Sequence, residues 1–276
     1  LSLWALQDGT DLKIVTATTT GPEYRYHVFH MATDLWDGTI KNETIENITD
    51  PPAGSSDFSC SIAIRSDDDV VVLYNGDNDA IMGTNYNRVD YAVRVTSWTL
   101  GVNVAGETLE SHWIGSAVVL GASDKMHFFY KNDTGAIAYH RSLSSADVLG
   151  TQHTVDATAD ADNHLFIPGV YYDAAGAERI TAGYKDGSII KSVLVVDDGT
   201  PDTPDSAGDN NADVVAGSPV ACLSLENGTT KKVHLLYADN TTSDLFYDSN
   251  TNDAGWGTDT EELDAVTINR ISSNVY

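Results

Sequence analysis

Short runs of β-branched and aromatic residues alternate along this chain with corners of Asp, Asn, Gly and Thr. The clearest instance covers residues 124–140, where Met126-His127-Phe128-Phe129-Tyr130 leads through Asn132-Asp133-Thr134-Gly135 into Ala136-Ile137-Ala138-Tyr139-His140. Apolar run, polar corner and second alternating run predict a β-hairpin. The pattern recurs. The aromatic that closes the first strand of the hairpin appears as Tyr74, Tyr130, Tyr184 and Tyr237, at steps of 56, 54 and 53 residues, and Thr16 holds the place 58 residues before Tyr74. A fixed period of this length marks an array of similar units, each of which buries its faces only against its neighbours.

Within each period the pattern predicts four strands. The first unit gives Leu1–Leu6, Asp11–Ala17, Tyr24–His30 and a fourth around Ile40–Ile45 after Trp36-Asp37-Gly38. The second gives Phe58–Arg65, Val70–Tyr74, Val89–Thr96 and a strand after Trp98. In the third, Trp113–Leu120 precedes the hairpin, and Gln152–Val155 follows it. The fourth has Leu165–Tyr172, Ile180–Tyr184, Ile189–Val196 and an irregular end. The fifth runs through Pro219–Leu225, Val233–Tyr237, Asp244–Tyr247 and a segment ending at Leu263, and Ile268–Tyr276 reads as the opening strand of another unit. Four-stranded units of about 50 residues whose first strand is rich in small residues (Ser61, Ala63, Gly115, Ser116, Ala117, Gly169, Ala221) fit the blades of a β-propeller, with the first strands lining a channel. The expected fold is therefore an all-β, single-domain β-propeller over 1–276, with repeats near 1–56, 57–111, 112–163, 164–216 and 217–266 and a partial one at 267–276. A six-bladed ring is the first expectation and a five-bladed ring the alternative.

Charge narrows the partners. A formal net charge of −26, from 32 Asp and 9 Glu against 15 Lys plus Arg, excludes an electrostatic nucleic-acid binder. Asp outnumbers Glu as expected of a chain with many tight turns. No apolar run reaches the ~18 residues of a membrane helix, and no leader pattern opens the sequence, which begins at Leu1 and reads as a mature product or a trimmed segment. Cys60 and Cys222 fall on first strands of the second and fifth units and are expected as buried thiols. Sequons at Asn42, Asn47, Asn132, Asn227 and Asn240 fall on expected loops or turns.

The corner Ser249-Asn250-Thr251-Asn252-Asp253-Ala254-Gly255-Trp256 resembles the Ser-x-Asp-x-Gly-x-Thr-Trp signature between third and fourth strands of the sialidase-like, or bacterial neuraminidase repeat, propellers. Thr33-Asp34-Leu35-Trp36 and Ser97-Trp98 are shorter relatives of it, and the layout is similar to repeat proteins of this group carried by phage and environmental genomes. The resemblance implies a fold more than a reaction. It also implies, for a sialidase, an arginine triad, a Tyr/Glu nucleophile pair and an acid Asp. Arg65 and Arg270 are the arginines on expected first strands, so no triad is assigned. A glycosidase would instead need carboxylates facing each other across the bond, about 5 to 10 Å apart, and Asp57 alone stands at the start of a first strand.

Residues just before first strands mark the rim of the channel: Asp57, His112 with Trp113, Asn163 with His164, and Ser218. Asp57, His112, Trp113 and His164 are the candidate ligand-binding set, with ordinary strand-entry residues as the bland reading. Asp209, Asn211 and Asp213 can present oxygens to Ca²⁺, although Val214 and Val220 stand where an EF-hand has Gly and Glu; the other reading is a solvated loop. Beyond that possible Ca²⁺, no cofactor is expected. The function expected on this basis is a non-catalytic structural or adhesion module on an extracellular or virion surface, partnered by other protein subunits or surface glycans. Two alternatives remain: a carbohydrate-binding lectin using Trp113 and Tyr172, and a glycoside hydrolase of sialidase-like fold.

Overall fold

The computed structural model describes residues 2–18, 23–40, 42–47, 60–76, 88–101, 104, 113–120, 122–132, 137–157, 167–172, 178–186, 189–196, 201, 205–206, 220–227, 230–239, 244–251 and 260–263. Among them are 21 strands and one short 3₁₀ turn. No helix of the described residues is long and apolar enough to cross a membrane.

The strands form five consecutive antiparallel sheets. Sheet A holds β1 (Ser2–Asp8), β2 (Asp11–Thr18), β3 (Glu23–His30) and β4 (Leu35–Trp36) in that order, with β5 (Glu43–Asn47) also on β3. Sheet B is β6 (Cys60–Ile64), β7 (Val70–Gly76), β8 (Arg88–Arg94) and β9 (Trp98–Gly101). Sheet C is β10 (Trp113–Leu120), β11 (Met126–Asn132), β12 (Ile137–Leu143) and β13 (His153–Asp156). Sheet D is β14 (Ile167–Tyr172), β15 (Glu178–Asp186), β16 (Ile189–Val196) and β17 (Asp205–Ser206). Sheet E is β18 (Val220–Asn227), β19 (Thr230–Asp239), β20 (Asp244–Thr251) and β21 (Thr260–Leu263). Each sheet is one predicted repeat, in chain order. Two details differ from the sequence expectation. The fourth strand of sheet A is split in two, and the acidic stretch after β16 supplies the short β17, whose Asp205 and Ser206 pair with Ser192 and Lys191. A polar two-residue strand carries no apolar alternation to announce it. Ile268–Tyr276, the expected start of a sixth unit, lies outside the described residues.

By their contacts the residues group into two compact units, 1–135 with 143–149 and 136–142 with 150–276. In the first unit β6 packs beside β1 and β10, and in the second β14 packs beside β18, so first strands neighbour first strands as blades require.

Burial follows the sequence pattern. In β3, Tyr24, Tyr26 and Val28 are buried while Arg25, His27 and Phe29 are half-exposed, the alternation of a sheet with one covered face. Val15, Tyr24, Tyr26, Val28 and Ile45 of sheet A meet Cys60, Ile62, Val70, Val72, Tyr74 and Ala92 of sheet B in one core. In β7 every residue from Val70 to Tyr74 is buried, because Tyr91 of the same sheet packs on Phe128 of sheet C, 5.7 Å between centroids, on the other face. That double cover explains a continuous apolar run. At about 1.5–3 kcal/mol for each buried large apolar side chain, such central strands dominate the stability of the unit. Cys60 is a buried thiol whose Sγ lies 3.9 Å from the Val15 carbonyl oxygen, as expected; Cys222 sits on β18.

Corners are set by backbone conformation. Among the described residues, four of the five non-glycine residues with positive φ are aspartates, Asp34, Asp68, Asp124 and Asp147, which accounts for part of the Asp excess. Gly9, at φ 55°, turns the two-residue hairpin between Asp8 and Asp11. Thr33-Asp34-Leu35-Trp36 and Ser97-Trp98 do occupy third-to-fourth-strand corners. Three sequon asparagines, Asn47, Asn132 and Asn227, prove to be the last residues of strands rather than loop residues.

Candidate functional site

Antiparallel order gives every sheet a rim end, where the first strand begins, the second finishes and the third begins. At this end of sheet B the cross-strand row is Cys60, Tyr74 and Asp90. In sheet D, Tyr184 is opposite Lys191. These rows carry buried charge: Asp90 and Lys131 in the first unit and Asp156 in the second are all buried. Asp156 lies at the end of β13. Its Oδ2 accepts hydrogen bonds from the Tyr184 hydroxyl at 2.8 Å and from Lys191 Nζ at 2.9 Å. Both donors come from the following sheet, so this buried carboxylate ties sheet C to sheet D. The equivalent Tyr130 of sheet C donates to the Val104 carbonyl at 3.4 Å, just past the fourth strand of sheet B, and the Tyr74 ring packs, tilted by 51°, on Tyr24 of sheet A with centroids 4.8 Å apart. The recurring tyrosine is an inter-sheet anchor at the foot of the rim.

The opposite ends hold two further polar clusters. Arg65, one residue beyond β6, has a side chain only 1% exposed, and its guanidinium donates to the carbonyl oxygens of Asp124 (3.2 Å) and Ser144 (2.8 Å) and to the Asp147 carboxylate (2.8 Å). Alongside, the Asp124 carboxylate accepts from the Ser66 amide and hydroxyl, which holds it below the usual carboxylate range. Burial, with the neighbouring Asp67, pushes Asp69 up. In sheet A, His30 lies between Asp11 (2.8 Å from Nδ1) and Asp37 (3.1 Å from Nε2). Asp37 is oriented by the amides of Ile40 (2.6 Å) and Thr39 (2.7 Å), which lower its pKa, and the hydrogen bonds that His30 donates to Asp11 and then to Asp37 raise the pKa of His30. Between sheets A and B, Arg94 pairs with Glu43 at 2.7 Å and lies 5.6 Å over the Tyr26 ring. These side chains are committed to holding sheets together.

The sequence candidates fall as follows. Trp113 opens β10 opposite Asn132, at a rim end, whereas Tyr172 closes β14 at the far end of its sheet. Asp57, His112, His164 and the Ca²⁺ candidates Asp209, Asn211 and Asp213 lie outside the described residues, as does the 249–256 corner beyond Thr251. The strand starts expose a carboxylate that the sequence reading passed over. Glu110 stands in the sequence five residues before Gly115, the partner of the recurring Tyr130, and Asp57 stands three before Cys60, the partner of Tyr74, so both belong to leads into first strands and His112 is the residue in register with Asp57. Its signal in the sequence is an acidic side chain a few residues ahead of the predicted strand Trp113–Leu120. Among the described residues, no group of three or more His, Cys, Asp or Glu is arranged to hold a metal ion.

An all-β chain of successive four-stranded sheets with neighbouring first strands has the architecture of the arabinanase- and sialidase-like β-propellers, and solved structures share it. The α-L-arabinanase of Penicillium chrysogenum matches with a TM-score of 0.57 at 10% identity, over 98% of this chain and 81% of its own. An intramolecular trans-sialidase from Ruminococcus gnavus matches at 0.56 and 9% identity, over 97% and 85%. An α-L-arabinofuranosidase of Fusarium graminearum matches at 0.53 and 10% identity, over 98% and 82%. Neither a protein-family model nor a curated protein matches the sequence.

These matches correct two expectations. A non-catalytic structural or adhesion module, and the absence of enzyme activity, are what the sequence implies through its lack of an arginine triad and of paired rim carboxylates. The fold is instead one that carbohydrate-active enzymes use, as the arabinanase, the arabinofuranosidase and the trans-sialidase show.

Proposed function

We propose that this chain is a carbohydrate-active propeller, a glycoside hydrolase of sialidase-like fold that acts on surface or extracellular glycans. The observation that carries the proposal is the match of nearly the whole chain to an arabinanase, an arabinofuranosidase and a trans-sialidase. Glycoside cleavage needs a proton donor and a second carboxylate on either side of the bond. Asp57 and Glu110 supply one carboxylate each from the leads into β6 and β10, first strands that pack together in the first unit. His112 and Trp113 belong to the second of these leads, and His164 to the lead into β14; in this reading they orient the sugar. Residues 268–276 open a sixth blade; five closed blades with that segment outside the ring would refute the count.

The experiment is hydrolysis of a panel of polysaccharides and aryl glycosides by the purified protein and by Asp57→Asn and Glu110→Gln. Cleavage by the wild type that falls at least ~100-fold in each variant, with the melting temperature unchanged, is the expected result. Binding without turnover would favour the lectin reading, and neither binding nor cleavage would remove the proposal.

A further inference from the structure

A hydrolase reading leaves open the charge of the glycan, and the use of the chain's cations bears on it. The chain has seven arginines, at 25, 65, 88, 94, 141, 179 and 270. The four whose side chains are described are all engaged internally. Arg25 pairs with Glu23 and reaches the Asn42 carbonyl oxygen; Arg65 holds Asp124, Ser144 and Asp147. Arg94 pairs with Glu43, and Arg141 donates to the Gly150 carbonyl at 2.8 Å. Lysines are drawn in as well, Lys13 to Asp8 at 2.6 Å and Lys191 to Asp156 at 2.9 Å. Of the other arginines, Arg88 opens the third strand of sheet B, at a rim end, whereas Arg179 is the second residue of β15, at the far end of sheet D. They do not share an end of their sheets, so the described strands bring at most Arg88 to a rim.

Recognition of a sugar carboxylate, sulfate or phosphate rests on guanidinium forks aimed at the anion. Here the four described forks are spent on carbonyls and carboxylates of the protein, and the surrounding field is that of a chain with net charge −26. An anionic polymer approaching such a surface is repelled within a screening length of ~8–10 Å at physiological salt. From the arginine commitments and this field together, we infer that the glycan taken by this protein is uncharged, a neutral pentose or hexose polymer, and that sialylated and uronic acid-containing glycans are rejected. The inference rests on the hydrolase reading and adds the substrate class.

The test is a retention assay with the intact protein on matched neutral and acidic oligosaccharides at low and high NaCl, with Arg88→Ala in parallel. Neutral oligosaccharides should be held with affinity that changes less than about threefold between ~20 and ~500 mM salt. Acidic ones should bind at least ~10-fold more weakly at low salt, and Arg88→Ala should leave neutral binding within about twofold. Preferential binding of acidic glycans that weakens with salt, or that Arg88→Ala abolishes, would overturn this inference and leave the hydrolase reading standing. Retention of neither class would remove both.

Discussion

A guanidinium can sit in a protein interior only when its donors are used, and Arg65 uses them on two carbonyls and one carboxylate at the end of sheet B. Arg65→Ala should therefore cost about 3–5 kcal/mol in a denaturant titration, because it strands the partners it served. Asp147→Asn should cost much less, since the Asp147 side chain is 44% exposed and water can replace it. His30 answers to pH. Its two carboxylate neighbours raise its pKa above 6.5 in the folded state, so protonation favours folding. The contribution is complete below about pH 6.5 and disappears as pH rises through the raised value. Melting curves of the wild type and His30→Gln should differ at pH 5.5–6.5 and converge as pH rises through the titration of the imidazole, which NMR can follow; a gap that persists unchanged into the alkaline range would exclude this role.

For the elements, the sequence spoke clearly wherever packing repeated. Tyr74, Tyr130 and Tyr184 mark the period because each reaches the preceding sheet, a constraint that recurs in sheets B, C and D and accounts for both residue type and spacing there. β10 and β16 match their predicted ranges residue for residue. What stayed illegible was polar: β17 is a pair of residues inside an acidic stretch, and the carboxylates of the proposed site stand in leads where no alternation marks them. The anchor role sets an order of effects. Tyr184→Phe deprives the Asp156 carboxylate of a donor and should cost about 1.5–3 kcal/mol, whereas Tyr130→Phe, losing a longer bond to a neutral carbonyl, should cost about 0.5–1.5 kcal/mol in the same denaturation assay. Gly101 offers a steric check. A Cβ there would lie 2.0 Å from Cζ of the Tyr91 ring, which packs on Phe128. Gly101→Ala should lose about 1–3 kcal/mol as the ring is displaced.

Over the whole chain, layout was legible and chemistry was not. Five four-stranded units could be read because each spans a full period of alternating residues. The function could not, because the residues of the proposed site, Asp57, Glu110, His112 and His164, stand in three separate leads with no spacing that marks them as one set. Charge acts at this scale too. The stretch 197–213 holds six aspartates and no Lys or Arg, and Asp209, Asn211 and Asp213 remain the proposed Ca²⁺ ligands. If they bind it, millimolar Ca²⁺ should raise the melting temperature by a few degrees and slow proteolysis within this stretch; no change in either would dismiss the metal. The claim on which the account rests is that a glycan is bound and cut at the rim beside the leads into β6 and β10. An experimental structure of Asp57→Asn with a neutral oligosaccharide tests it most directly. The account predicts sugar density within hydrogen-bond reach of residue 57, Glu110 and His112. Sugar bound only at the far ends of the sheets, or a rim blocked by the chain itself, would contradict it.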